Sequence, residues 1–364
     1  MTQGSRLVDL VRSRLDRLVD ERSSILAAVA EETTSLAEYS RQLLRGGKRV
    51  RAQLCWWGRE AVAGGEQPTP ADVDSVVTVA AALEVFHAAA LVHDDLIDSS
   101  DTRRGFPSAH RRFERLHAES GYAGDAGSFG RASAILLGDL LQSWSDDLLS
   151  EGLAAVTPER RAAVRREFER MRIEVLAGQY LDLVEEHAWP TVDEDEALPR
   201  AERVILYKSA KYSVEAPLVI GAGLGGADAG QVAALRAFGV PLGIAFQLRD
   251  DLLGVFGDPE VTGKPAGDDL REGKRTVLIA HSRALLPPGS RRLLDELLGD
   301  PELTEEQVRT LQTTISASGA VDRVEAAIAG RVAEARAALT AGPFDAAARE
   351  ALDALVVPLT ARSS

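Results

Sequence analysis

Cysteine is nearly missing from this chain. Cys55 stands alone, so no disulfide can form within the chain, and its apolar surroundings read as core. A single cysteine also fits a reducing compartment. Aromatic residues make up only 5%, and the alternation of apolar and polar residues that marks strands is almost absent. A basic excess is missing too. The formal net charge is -14, which excludes general nucleic-acid binding, since that needs a basic face to displace counterions. A few converging Lys and Arg could still hold a small anion. No uncharged apolar run is long enough to span a bilayer: the densest, residues 77–92, contains Glu84 and His87. The first residues lack the apolar centre of a signal peptide. These absences predict a cytoplasmic protein without a nucleic-acid partner and without stable membrane insertion.

What is present favours helices. Hydrophobic residues reach 45% and charged residues 27%, with Ala, Leu, Val, Glu and Arg plentiful. At 364 residues the chain could form one large core or two ordinary domains. Helical periodicity predicts helices over residues 5–44, 49–63, 71–98, 130–152, 157–186, 200–220 and 229–256, with more to the end. Turn-like segments separate them at 64–70, 121–130, 189–199 and 257–267. The acidic run Asp193–Glu196 is expected in a solvated loop. Without a repeat period or a break in composition, residues 1–364 read as a single all-α domain.

Two acidic clusters carry the chemistry. In LEVFHAAALVHDDLIDSSDTRRG, residues 83–105, Asp94 and Asp98 share one helical face with Asp95 beside them. Three carboxylates so close repel one another unless a cation joins them. An oxygen-only set without nearby His or Cys ligands suits Mg²⁺. A solvated helix end is the plainer reading, but the preceding apolar stretch and the Arg103–Arg104 pair weaken it; arginines there fit a phosphate clamp. The second cluster, FQLRDDLLGVFGD at 246–258, places Asp250 and Asp251 at the end of another apolar helix. Lys264, Asp268, Asp269 and Lys274 follow it. Acid followed by base thus occurs twice.

These pieces resemble the trans-isoprenyl diphosphate synthases, the polyprenyl synthetase family, over nearly the whole chain. The matching motifs are GGKRVR at 46–51, the helix with His87, DDLID at 94–98, RRG at 103–105 and GD at 138–139. GQ at 178–179, KS at 208–209, FQLRDD at 246–251, GK at 263–264 and GKR at 273–275 complete the series. The resemblance implies an isoprenoid-synthase bundle of about a dozen helices around a central cavity. It implies a prenyltransferase that condenses isopentenyl diphosphate with an allylic diphosphate. Asp94, Asp98 and Asp250 would hold Mg²⁺, about three ions per active site, with Asp95 and Asp251 in support. Arg103, Lys208 and Lys264 would clamp the allylic diphosphate, with Lys274 close by. Lys48, Arg51, His87 and Arg104 would hold the diphosphate of isopentenyl diphosphate, and Gln247 and Ser209 would face the forming allylic cation. A homodimer is implied as well.

The second motif departs from the family: Gly254 stands where many relatives place a third aspartate, and Gly254→Asp is expected to be tolerated. Product length in the family depends on what blocks the pocket beneath the first motif. Ala89 and Ala90, where shorter-product relatives carry aromatics, predict a longer product such as geranylgeranyl diphosphate. Phe86, about 12 Å along the helix from Asp94, is the expected floor. Gly221, Gly223 and Gly226 match G-x-G-x-x-G, but helical surroundings favour close packing or a helix end over a dinucleotide site. A class I terpene cyclase, or a non-catalytic partner subunit of a heteromeric synthase, are the competing readings. The cation set Lys48, Arg51 and His87 argues against the first, and the two Asp motifs argue against the second.

Overall fold

The computed structural model describes residues 3–65, 67–103, 105–258 and 266–361. In chain order it contains α1 (Gln3–Val29), α2 (Thr34–Leu43), α3 (Val50–Val62) and α4 (Pro70–Ile97). A small hairpin, β1 (Thr102–Arg103) and β2 (Phe106–Pro107), precedes α5 (Ala109–Glu119), α6 (Ala126–Gly152) and α7 (Pro158–Ala188). Then α8 (Glu194–Val204), a π-helical segment (Ile205–Glu215) and α9 (Ala216–Gly225) follow without a break, and α10 (Ala229–Phe256) returns. Helices at Asp268–Glu272, Val277–Leu285, Pro288–Leu297, Glu305–Ala317, Ala320–Ala341 and Ala346–Thr360 complete the described residues. The expected all-α bundle is what forms.

Helix α4 is the axis of this bundle. Thr69 and Asp72 cap its start reciprocally and a proline occupies its first turn, both strong start signals. Beyond that, buried residues occur all round it rather than on one stripe, from Ser75 to Asp95. It packs most extensively against α6, and also against α1 and α3. By length and composition alone α4 and α10 could each cross a membrane. For α4 that apolarity reflects its central place, with 83% of its most apolar stretch buried inside the fold.

Glycines set the closest helix crossings. A Cβ on Gly221 would lie 1.8 Å from the Cys55 carbonyl oxygen, and one on Gly58 would lie 2.1 Å from that of Leu218, so α3 and α9 touch backbone to backbone. Gly226 ends α9 in the left-handed conformation. The GAGLGG run is therefore helix packing and a helix end, as its surroundings suggested.

Several boundaries differ from expectation. The predicted helix over 5–44 breaks at Ala30, whose extended backbone starts a 3₁₀ turn before α2. Helix α6 begins inside the 121–130 turn because Asp125 caps it. The acidic run is not a solvated loop: Asp193 precedes α8, and Glu194, Asp195 and Glu196 form its first turn, where the helix dipole favours negative charge.

Candidate active site

Helices α4 and α10 both direct their C-terminal ends, each carrying an aspartate pair, into one cavity of about 990 Å³. Helix C-termini carry partial negative charge, so carboxylates there need cations. The cavity wall also includes residues of α3, α7, the π segment and the Asp268–Glu272 helix.

The first aspartate cluster is tightly paired. The hairpin folds Arg103 back so that its Nε donates to Asp95 Oδ1 at 2.7 Å and its Nη2 reaches Asp94 Oδ2 at 3.2 Å. Lys208 Nζ lies 3.2 Å from Asp94 Oδ1 and 2.6 Å from Asp182 Oδ2. Lys274 Nζ meets Asp98 at 2.7 Å, Glu186 at 2.7 Å and Asp182 at 3.1 Å. Burial alone would raise the Asp94 carboxyl, but Lys208 and Arg103 outweigh it and hold it well below the usual carboxylate range. Asp98 goes the other way, pushed up to about 6 by burial and by the Asp94 charge. Burial would lower the Lys274 ammonium, yet its carboxylate neighbours raise it above its ordinary value.

The second cluster is looser. Asp250 is exposed on the cavity wall, whereas Asp251 is buried and accepts from Gln247 Nε2 at 2.8 Å. Burial pushes Asp251 up to about 7. The Ser209 hydroxyl donates to Gln247 Oε1, so a chain of hydrogen bonds runs from the π segment to the second motif. Gly254 is filled from elsewhere: a Cβ there would lie 2.0 Å from Asp269 Oδ2. The Asp269 carboxylate thus fills the space beside Gly254, and it is the end of a side chain that would have to swing aside for the expected Gly254→Asp.

A third group lies across the cavity. Arg51 Nη2 donates to Ser213 Oγ at 2.7 Å, and its guanidinium stacks 4.5 Å over the Tyr212 ring. His87 Nδ1 lies 3.1 Å from the Tyr212 hydroxyl. Lys48 is exposed at the cavity wall. Beneath it Arg49, in the left-handed conformation with φ 51, buries an ion pair to Glu84 Oε2 at 3.1 Å, and Glu84 Oε1 accepts from Ala52 N at 3.2 Å. That pair pins the GGKRVR turn to α4.

Of the expected site residues, Lys264 and Arg104 lie outside the described residues. Ala90 lines the cavity, but Ala89 and Phe86 do not; both are buried behind the lining. The Phe86 ring instead packs edge-on against Phe168 and Tyr212, at 6.2 and 5.9 Å. Sequence reading passed over Asp182, Glu186, Arg49 and Tyr212. A hint of the first two existed: Asp182 and Glu186 share one face of α7 just after the Gly178–Gln179 pair. Gly178 itself admits the π segment, since a Cβ there would lie 2.3 Å from Lys208 N. Gly138 does the same for His93, whose Nε2 would sit 2.0 Å from its Cβ.

No three His, Cys, Asp or Glu residues are gathered as a metal-binding group among the described residues. The donors nonetheless fit a hard cation. Asp98 Oδ1 and Asp251 Oδ2 are buried carboxylate oxygens without a hydrogen-bond partner, and oxygen is the ligand Mg²⁺ prefers.

The profile of one family, Polyprenyl synthetase, matches residues 33–315. The chain belongs to the polyprenyl synthetase family. Among curated relatives, the geranylfarnesyl diphosphate synthase of Aeropyrum pernix is 31% identical over 313 residues, covering 85% of this chain and 89% of the relative. The geranylgeranyl diphosphate synthase of Methanosarcina mazei is 31% identical over 325 residues, covering 88% and 87%. A solved structure of geranylgeranyl pyrophosphate synthase from Corynebacterium glutamicum, complexed with isoprenyl diphosphate and magnesium, superposes with a TM-score of 0.93 at 37% identity, covering 100% of both chains. This polyprenyl synthetase is a trans-prenyltransferase that acts on isoprenyl diphosphates, in a family that depends on Mg²⁺.

Proposed function

We propose that the chain condenses isopentenyl diphosphate head-to-tail with dimethylallyl, geranyl or farnesyl diphosphate and releases geranylgeranyl diphosphate. One observation carries this reading. A single cavity holds an aspartate-lined wall with Arg103, Lys208 and Lys274, and a separate cationic wall with Lys48, Arg51 and His87. Two diphosphates therefore have two places, whereas a cyclase needs one.

Asp94, Asp98 and Asp250 would hold Mg²⁺, about three ions per site, which supplies positive charge to the departing allylic diphosphate. Arg103 and Lys208 add fixed positive charge where negative charge develops as the carbon–oxygen bond breaks. Lys274 stands beside Asp98 and Asp182, and Lys264 belongs to the same clamp. Lys48, Arg51, His87 and Arg104 hold isopentenyl diphosphate so that its double bond faces the cation. The Gln247 and Ser209 oxygens lie next to that cation. After the new carbon–carbon bond forms, a proton leaves to the freed diphosphate, so no side-chain nucleophile is required.

The product length follows from Ala90, whose small side chain leaves the wall beneath Asp94 open. Each CH₂ of the tail buried there adds roughly 0.8 kcal/mol. Assembly as a homodimer is supported by exposed apolar side chains: Ile173, Leu176 and Tyr180 share one face of α7, exposed by 70%, 57% and 66%, and Ile135 and Leu136 are exposed on α6. The single cysteine, Cys55, supports a reducing, cytoplasmic location for the enzyme.

Product analysis with isopentenyl diphosphate and each allylic donor tests the reading. Geranylgeranyl diphosphate as the end product is expected, and hydrocarbon from an allylic donor alone would replace the synthase with a cyclase. Light scattering should give the mass of two chains.

A further inference from the structure

Tyr212 is a buried phenol in the middle of the π segment, and nothing in the proposed chemistry uses it. Three helical elements meet at it. Its ring carries the Arg51 guanidinium of α3 on one face at 4.5 Å. Its hydroxyl reaches Nδ1 of His87 on α4 at 3.1 Å. Its ring edge rests against Phe86, the residue before His87 on α4, at 5.9 Å. The neighbouring Ser213 accepts the second contact of Arg51, from Nη2 at 2.7 Å. Arg51 and His87 come from separate helices, α3 and α4.

We propose that Tyr212 is the positioning residue of the isopentenyl diphosphate site, orienting His87 and Arg51 together. The proposal rests on the two-site reading above. A buried phenol whose burial pushes it up to about 12 stays protonated, so its hydroxyl can donate to His87 Nδ1. With Nδ1 accepting, a neutral His87 carries its proton on Nε2, and Nε2–H becomes a donor aimed away from Tyr212. The histidine can then hydrogen-bond a diphosphate oxygen without first gaining a charge. The ring face plays a different part. It gives the flat guanidinium of Arg51 a platform, leaving its fork pre-oriented for a bidentate anion. Lys208 and Ser209, four residues before Tyr212 and Ser213 on the same segment, line the same cavity. One segment therefore touches the parts that handle each of the two substrates.

Steady-state kinetics on the full chain with Mg²⁺, varying each substrate in turn, test this. Tyr212→Phe keeps the ring and removes the hydroxyl. It should raise KM for isopentenyl diphosphate about tenfold, the loss of one hydrogen bond to a site that must grip a charged group. KM for farnesyl diphosphate should stay within about twofold, and kcat at saturation should change far less than KM. Tyr212→Leu also removes the platform and should raise the isopentenyl diphosphate KM about a hundredfold. Calorimetric titration of isopentenyl diphosphate into each variant should show the same order, and thermal melting establishes that each variant is folded. An unchanged isopentenyl diphosphate KM in Tyr212→Phe, or an equal rise for both substrates, overturns the positioning role. If the parent chain itself does not turn over isopentenyl diphosphate, the two-site reading fails instead.

Discussion

The two aspartate motifs begin alike, DDLI and DDLL at the ends of apolar helices, yet fold into different environments. At the end of α4 the hairpin turns Arg103 back onto Asp94 and Asp95, and Lys208 and Lys274 close the remaining faces. At the end of α10 one carboxylate is exposed, its neighbour is buried beside a glutamine, and the third position belongs to Asp269 from another helix. The contrast teaches that a carboxylate motif is completed by what the chain does next, not by its own spacing. A cationic hairpin reaches the first site from the next stretch of chain; beside the second, Asp269 of another helix brings a carboxylate to the space left by Gly254.

Removing charge from either motif should have the largest effect. Asp94→Ala and Asp250→Ala should each lower kcat by roughly a thousandfold or more, measured by product formation at saturating substrates and Mg²⁺. If only Asp94→Ala does so, the second motif is no metal ligand and the pair ceases to be one. Stability separates the motifs next. Lys274→Met strands Asp98 and Glu186, both largely buried, and leaves Asp182 with Lys208 alone; it should cost about 3–5 kcal/mol in urea unfolding. A smaller cost would mean that the first cluster is not charge-balanced by Lys274.

Gly254→Asp tests the borrowed carboxylate. It should displace Asp269 and lower kcat about tenfold. Adding Asp269→Gly should recover activity, because the carboxylate is then supplied by the motif itself. Activity in the single variant equal to the parent would show that Asp269 yields freely. The smallest effect concerns pH. Asp251 titrates near pH 7 in the fold, against an unfolded value of 3.8. Between these values the folded chain binds the extra proton, so this group's contribution to stability falls as pH rises from about 4 to 7. With chelator present, Asp251→Asn should melt a few degrees above the parent at pH 8 and together with it below pH 4. Equal melting at both values would place the Asp251 carboxyl in the ordinary range.

Much of this was legible in the sequence, and the reason is local. DDLID, RRG and FQLRDD bring their carboxylates and cations together within one or two turns, and α4 and α10 announce themselves by periodicity. What stayed hidden depends on distance or winding. Glu84 reads as a charge interrupting an apolar run, and only the fold shows Arg49 beside it. Asp182 and Glu186 look like ordinary helix-surface acids until Lys208 and Lys274 arrive from 26 and 92 residues away. Tyr212 reads as one more residue of the helix predicted over 200–220, and only the fold brings Arg51 and His87 to it. Phe86 was misplaced for a related cause: a ring at the right height on a helix still has to face the cavity.

The π segment has one more consequence, for chain length rather than residue identity. Where an α-helix bonds each amide four residues back, a π turn holds one residue more per hydrogen-bonded ring. Deleting a residue between Ile205 and Glu215 would let α winding return there, and would change which side chains within the segment face the cavity. Helices α8 and α9 would stay helical on either side. Families built on this rod should therefore vary its letters far more readily than its count.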